Sequence, residues 1–254
     1  MIAALQMYDW PEVREATDLW WRAIATGLGM GLPLSRPTHF TAPWFQDDLL
    51  FAQTCGYPFT HALKGRVAYV ATPHYAADGC EGPSYRSIIL ARREQPLEQF
   101  RGSVAAVNTP DSMSGMLALK LVFAPLARGG QFFAQAVETG GHLASLAAVQ
   151  SGEADVCAID CVCVEMARRY RPAALEGLVE IARSPAVPGL PWITRAGNVA
   201  SLRAALHKAF SDPSLADVRQ RLLLTGFSEL PVSAYDRITD LETAVETAGG
   251  LKLL

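Results

Sequence analysis

The stretch NTPDSMSGM, which begins at Asn108, constrains the fold of this chain more than any other segment. It follows the apolar run 104–107, which is typical of a buried strand, and it precedes an apolar segment that is typical of a helix. Pro110 prevents an earlier helix start, and Asp111 or Ser112 can cap the helix that follows. Because the first amides of a helix lack internal partners, this pattern predicts an anion-binding turn between a strand and a helix. The alternative is an ordinary capped helix.

Two later segments repeat this pattern. The strand candidate 132–137 is followed by two glycines and His142, at the start of a second helix. The strand candidate 154–160 ends on Asp160 and is followed by a third helix, 161–169. Ligands of open α/β sheets lie outside the carboxyl ends of the strands. We therefore expect the three turns to face one crevice.

Three segments in order, NTPDSMSGM, GGHLASLAAVQSGEADVCAID and SPAVPGLPWIT, resemble the phosphate/phosphite/phosphonate ABC-transporter substrate-binding family. The resemblance covers roughly residues 1–240, and such proteins are type II periplasmic binding proteins. It implies an α/β chain with two lobes, mixed sheets flanked by helices, and a ligand cleft between the lobes. Lobe I would comprise residues 1–94 and 186–254, and lobe II residues 95–185.

The resemblance also implies a ligand site that is assembled from several turns. Its candidate residues are Ser112, Met113, Ser114, His142, Asp160, Tyr85, Trp44 and Tyr57. Arg86 joins them because its planar cation suits a carboxylate or a phosphate. A place in the core is an equal alternative for Trp44, a solvated cation is the alternative for Arg86, and a helix cap is the alternative for His142.

The chain departs from the family's usual motif at three positions. Met113 stands where a threonine is usual, Asp160 where a glutamate is common, and Gly189 where an aspartate is often found. In the family those acids meet the amino group of aminoalkyl phosphonates, so the departures argue against that substrate. The hydroxyl and amide cradle remains, which leaves a phosphonate, phosphate, sulfonate or carboxylate as the expected ligand.

The function that the resemblance implies is capture of a small anion for an ABC-transporter permease, by a monomer without a cofactor and without chemistry. A sensor of the same fold that never meets a transporter is one alternative. A Ser–His–Asp hydrolase is another, because all three residue types occur at adjacent turns, although the Gly-x-Ser-x-Gly elbow is absent. For His142 we expect a neutral imidazole before binding, and proton uptake with an anion as the pH falls toward about 6.

Composition narrows the remaining classes. The net charge of −3 gives no electrostatic case for nucleic acid, and no apolar run is long enough to span a membrane. The histidines and cysteines show no metal-binding spacing. The N-terminus lacks the features of a signal peptide, so a cytoplasmic location stands beside the periplasmic one that the family implies. On export, we expect a disulfide between Cys55 and Cys80; two unpaired thiols are the alternative.

Overall fold

The computed structural model describes residues 1–253. Its strands, in chain order, are β1 (Ile2–Ala4), β2 (Leu49–Gln53), β3 (Ala68–Tyr75), β4 (Ser84–Tyr85), β5 (Ser87–Ala91), β6 (Val104–Val107), β7 (Gln135–Glu138), β8 (Val156–Asp160), β9 (Val179–Arg183), β10 (Val187–Pro188), β11 (Trp192–Thr194) and β12 (Leu224–Ser228). Its α-helices are α1 (Arg14–Gly27), α2 (Gly56–Thr60), α3 (Ala118–Phe123), α4 (His142–Ser151), α5 (Cys161–Tyr170), α6 (Val199–Ser211), α7 (Ala216–Arg221) and α8 (Asp236–Thr247).

By its contacts the chain divides into two compact units. The first contains residues 1–76 and 188–234, and the second contains residues 77–187 and the chain from Tyr235 onward. This division differs from the lobes expected from the sequence. β5 pairs with β8 and β9, so residues 84–91 belong to the second unit. Helix α8, expected on the first lobe, packs against α3 in the second.

The first unit is built on a mixed sheet with the strand order β1-β2-β11-β3-β12. β1 and β2 run parallel, while β11 runs antiparallel to β2 and β3. The apolar stripe of α1 packs into the core of this unit with residues of β2 and β3. Trp21 stacks on Phe51 with 5.7 Å between ring centroids, and Trp20 meets Phe210 of α6 edge-on at 4.9 Å.

The second unit is built on another mixed sheet, with the strand order β7-β6-β8-β5-β9. β6 runs parallel to both β7 and β8. The carboxyl ends of these three strands therefore lie at the same edge of the sheet, and the predicted anion-binding turns follow them there. Together the two units confirm the predicted α/β class with mixed sheets flanked by helices. Among residues 1–253, no helix combines the length and hydropathy that a membrane span needs.

Some local predictions were wrong because distant partners decided the structure. The run Thr-His-Phe at residues 38–40 favours a strand, but these residues form bends and a turn. Residues 72–75 begin a polar segment rich in turn residues that favours a loop, yet they extend β3 because β12 pairs with them. The strand predicted from 132 begins only at Gln135, since Phe132 and Phe133 turn into the core against Phe123.

Candidate functional site

The NTPDSMSGM stretch folds into a π-helical turn, residues Met113–Leu117, directly ahead of α3. Ser112 caps it: its hydroxyl accepts a hydrogen bond from the Gly115 amide at 2.9 Å. The Leu117 amide reaches back five residues to the Ser112 carbonyl at 3.0 Å, which gives the turn its wide pitch. The predicted cap at Ser112 is confirmed, whereas the π geometry has no signature in the residue types.

Asn108 packs directly against the backbone of this turn. A methyl group added at Gly115 would lie 1.7 Å from Asn108 Oδ1 and 2.5 Å from its Cγ. A glycine in such a turn can let a ligand approach the backbone, but here Asn108 occupies the space beside Gly115. Asn108 Oδ1 is shielded from solvent and has no hydrogen-bond partner within residues 1–253. Asn108 is a site residue that was not predicted, although its place between β6 and the serine motif was a visible signal.

Ser114 and His142 form the centre of the candidate site. Ser114 is 4% exposed, and its Oγ lies 2.9 Å from His142 Nε2. His142 is the first residue of α4, after Gly140, whose φ of 82° lies in the left-handed region, and the extended Gly141. The Gly140 amide donates to the Asn108 carbonyl at 2.8 Å and so ties the second turn to the first. Two of the predicted turns are thereby brought into direct contact.

The imidazole of His142 is neutral at pH 7. Burial lowers its pKa to about 4, because the cationic form would lose its hydration there. The residue as a whole is half-buried, while Nδ1 is shielded from solvent and meets no hydrogen-bond partner in the described chain. The neutral state expected for the His142 imidazole is therefore caused mainly by burial and not by the helix dipole. An unpaired buried nitrogen costs roughly 1–3 kcal/mol, which a ligand atom would offset.

Asp160 has a structural task at the third turn. It is 2% exposed, and its Oδ1 accepts the Val162 amide at 2.7 Å, which caps α5. A catalytic triad would need a carboxylate on the His142 nitrogen that faces away from the serine. That nitrogen is Nδ1, which has no such partner within residues 1–253. The geometry therefore contains a Ser–His pair without the acid of a triad.

The other candidates of the second unit differ in what they offer. Met113 is 1% exposed and presents a thioether without a hydrogen-bond donor. Tyr85 is buried, at 3% exposure, at the end of β4. Arg86 donates from Nη1 to the Ser184 carbonyl at 3.1 Å, so one side of its guanidinium is held by the backbone of the segment after β9. Arg86 is half-buried, and its role as a ligand contact stays a prediction.

The two candidates of the first unit have packing partners of their own. Trp44 is 3% exposed, and its indole N–H donates to the Gln53 carbonyl at 3.0 Å. This agrees with the core alternative for Trp44. Tyr57 stacks on His61 with 3.9 Å between ring centroids, on the short helix α2.

The disulfide expected between Cys55 and Cys80 does not form. All cysteines of residues 1–253 are thiols, and the Cys80 Sγ lies 3.4 Å from the Cys161 Sγ, within the second unit. Cys55 is buried in the first unit beside α2. The prediction relied on turn-rich segments that flank β3, and turn composition does not identify a partner 81 residues away. Within the described residues no group of three His, Cys, Asp or Glu side chains is arranged to hold a metal ion.

Comparison with solved structures places the fold among α/β solute-binding proteins. The chain is similar to XAC2383 from Xanthomonas citri, solved with chloride, with 18% identity over 97% of both chains and a TM-score of 0.68. It is similar to PA3383 from Pseudomonas aeruginosa, a binding protein component of an ABC phosphonate transporter, with 18% identity, 92% and 83% coverage of the two chains, and a TM-score of 0.74. It is also similar to PhnD1 from Prochlorococcus marinus in complex with methylphosphonate, with 14% identity, 92% and 94% coverage, and a TM-score of 0.71.

These neighbours show that the chain has the type II periplasmic-binding-protein fold that the sequence predicted. The family itself follows from the sequence. The model of the family described as ABC transporter, phosphonate, periplasmic substrate-binding protein matches residues 46–235, and the chain belongs to that family. It is a solute-binding protein of a family whose members work with ABC transporters.

Proposed function

We propose that this protein binds a small tetrahedral oxyanion, a phosphonate or a phosphate, and delivers it unchanged to an ABC-transporter permease. The observation that carries the proposal is the contact of Ser114 Oγ with His142 Nε2 at 2.9 Å, with Nδ1 buried and unpaired. If the serine hydroxyl donates to Nε2, the neutral ring carries its proton on Nδ1 and offers that N–H to a ligand oxygen. The pair then presents a donor without a cation.

The surroundings of this pair favour an anion. His142 opens a helix of ten residues, whose first amides have no partners inside the helix and carry partial positive charge. The buried carboxylate of Asp160 caps α5, which reduces its availability for a ligand amine. This supports the inference from the departures in the motif that aminoalkyl phosphonates are not the substrate. Methylphosphonate in PhnD1 and chloride in XAC2383 are anions bound by proteins of the same fold.

Calorimetry with methylphosphonate, phosphate, sulfate and acetate tests the ligand class. We expect the two phosphorus oxyanions to bind more tightly than sulfate and acetate. Ser114→Ala should weaken methylphosphonate binding by about 1–3 kcal/mol, because the hydroxyl that fixes the imidazole tautomer is lost. Ser151→Ala at the far end of α4 is the matched control, since its hydroxyl donates to the Ala148 carbonyl and accepts from the Glu153 amide, both at the end of its own helix. Equal affinity of wild type and Ser114→Ala would remove this pair from the site.

A Ser–His hydrolase remains the second candidate, because the Oγ–Nε2 distance is that of a nucleophile and its base. Two features weaken it. The His142 pKa of about 4 makes the imidazole a poor base near neutral pH, and no carboxylate bonds Nδ1 within residues 1–253. Turnover of an activated ester that is lost in Ser114→Ala and kept in Ser151→Ala would support the hydrolase. We expect no such turnover.

The transporter role is distinguished from a sensor by the partner and by the compartment. We expect the ligand-loaded protein to stimulate the ATPase of its permease in proteoliposomes, as a monomer, and to fractionate with the periplasm. Retention in the cytoplasm, together with no stimulation by loaded protein, would favour the sensor. If such a protein still binds methylphosphonate tightly, the proposed ligand class is supported and the proposed transport role is rejected.

A further inference from the structure

Two cysteines of the second unit lie in contact away from the Ser114–His142 pair. Cys80, in the loop before β4, has its Sγ 3.4 Å from the Sγ of Cys161, the first residue of α5. Cys80 is half-buried, whereas Cys161 is 1% exposed. The sulfur atoms need to approach by little more than 1 Å to reach the roughly 2.05 Å of a disulfide bond.

The loop that carries Cys80 is held in this place by contacts of its own. Gly79 has φ of 108°, and a methyl group there would lie 2.9 Å from Cys161 Cβ, so only glycine allows the loop to approach α5 this closely. On the other side of Cys80, the Glu81 and Ser84 backbones bond each other. The Asp78 carboxylate accepts hydrogen bonds from both terminal nitrogens of Arg183, at 2.9 Å and 2.6 Å. These contacts fix the loop so that the two thiols lie next to each other.

We propose that Cys80 and Cys161 are a disulfide-forming site, independent of the ligand that the protein binds. The oxidant is a disulfide, either a small molecule such as oxidised glutathione or the active-site disulfide of a thiol oxidase. The Cys80 thiolate attacks one sulfur of the oxidant, forms a mixed disulfide and releases one thiolate. The Cys161 thiolate then attacks Cys80 Sγ, closes the bond and releases the second thiolate. Two protons leave the protein, and the oxidant is reduced by two electrons.

The remaining cysteines are poor competitors for this reaction. The hydrogen bond to Cys161 raises the pKa of the Cys80 thiol, and burial raises the pKa of the Cys157 and Cys163 thiols, so accessibility separates them: Cys157 is 0% exposed and Cys163 is 6% exposed. Cys163 is two residues from Cys161 on a helix, so the two side chains point in different directions. An oxidant reaches the pair through half-buried Cys80, whereas Cys161, Cys157 and Cys163 are all buried.

The bond would fasten the loop that leads into β4 to the start of α5, one residue after the Asp160 cap. It would also join positions 81 residues apart, which restricts the unfolded chain far more than a short loop does. We expect the oxidised protein to melt about 5–10 °C above the reduced protein.

The test compares wild type, Cys80→Ser, Cys161→Ser and Cys163→Ser after incubation of the folded proteins with oxidised glutathione. Under denaturing conditions we expect three of the five thiols to remain in oxidised wild type, with a mass lower by two hydrogens. Trypsin leaves Cys157, Cys161 and Cys163 together in the peptide 129–168. The substituted chains therefore assign the bond: Cys163→Ser should keep the cross-linked peptide, and the other two variants should lose it.

Five remaining thiols in wild type would overturn the proposal, as would a cross-link that survives Cys161→Ser. If Cys161→Ser does not fold, Cys80→Ser on the half-buried loop provides the same test. A melting temperature that rises with oxidation in wild type and Cys163→Ser, but not in Cys80→Ser, is the second readout. If cross-linked wild type melts at the same temperature as the reduced protein, the expected stabilisation by the disulfide is wrong.

Discussion

Lowering the pH from 7 to 4 is expected to destabilise the protein by about 3 kcal/mol through His142 alone. The folded pKa of about 4 lies below the ordinary value of 6.5 because burial penalises the imidazolium. Between these two values the unfolded chain binds a proton that the folded chain does not. The free energy of unfolding therefore falls by about 1.4 kcal/mol per pH unit as the pH drops from about 6.5 to 4, and this contribution is constant below that.

The measurement is urea unfolding at pH 7, 6, 5 and 4 of wild type and His142→Gln. The difference between the two proteins isolates this residue, because His74, whose pKa burial also lowers, is present in both. His39→Gln is the matched control, since it makes the same change at an exposed histidine. Parallel pH profiles for wild type and His142→Gln would show that the imidazole is not buried as a neutral group.

The low pKa of His142 also lowers the pH range in which we expect ligand binding to be coupled to proton uptake. A bound anion raises the pKa of His142 from about 4, so at pH 7 we expect no proton uptake on binding of methylphosphonate. Uptake should appear near pH 5, below the value of about 6 that the sequence suggested. Calorimetry in two buffers of different ionisation enthalpy measures the proton uptake at each pH. The protons that methylphosphonate itself takes up are known from a titration of the free ligand and are subtracted.

Gly115→Ala is expected to destabilise the second unit by about 1–3 kcal/mol and to abolish tight ligand binding. The new methyl group would lie 1.7 Å from Asn108 Oδ1, so the Asn108 amide must leave its place against the turn. Because the Asn108 carbonyl accepts the Gly140 amide, that movement loosens the link between the serine turn and the turn that carries His142. Thermal unfolding and methylphosphonate calorimetry measure the two effects.

A double-mutant cycle with Asn108→Ala separates this clash from other costs of alanine. In the Asn108→Ala background the offending atoms are gone, so the added methyl should cost much less, and the two effects should be strongly non-additive. Gly31→Ala is the control for a glycine with open space around it and an ordinary backbone. Additive costs of Gly115→Ala and Asn108→Ala would mean that the close contact with Asn108 is not what requires glycine.

Local pattern was enough to predict the elements that carry the site. The apolar runs before Asn108 and before Asp160 formed β6 and β8, and Ser112 is the one of the two candidate caps, Asp111 and Ser112, that caps the turn. The repeated order of strand, polar turn and helix placed the three turns after parallel strands, at one edge of the sheet, and a crevice shared by all three stays a prediction. Parallel strands make this inference possible because their carboxyl ends coincide.

The long-range contacts between site residues could not be predicted from the local sequence pattern. Nothing in the order Asp-Ser-Met-Ser-Gly tells which serine will cap the turn and which will meet His142, 28 residues later. The partner of Cys80 was missed for the same reason, since Cys161 approaches it only through the packing of Gly79 against α5. The division into units was misplaced at β5 because its pairing with β8 and β9 is a long-range choice.

The π-helical turn at Met113–Leu117 has a consequence for how related chains are aligned. Such a turn contains one residue more than an α-turn that spans the same backbone, and each residue of an α-helix advances by about 100° around the axis. A chain that lacks that extra residue would carry its serine about 100° away from the position of Ser114, pointing away from the histidine. An ungapped alignment across this segment would then equate serines that occupy different sides of the turn.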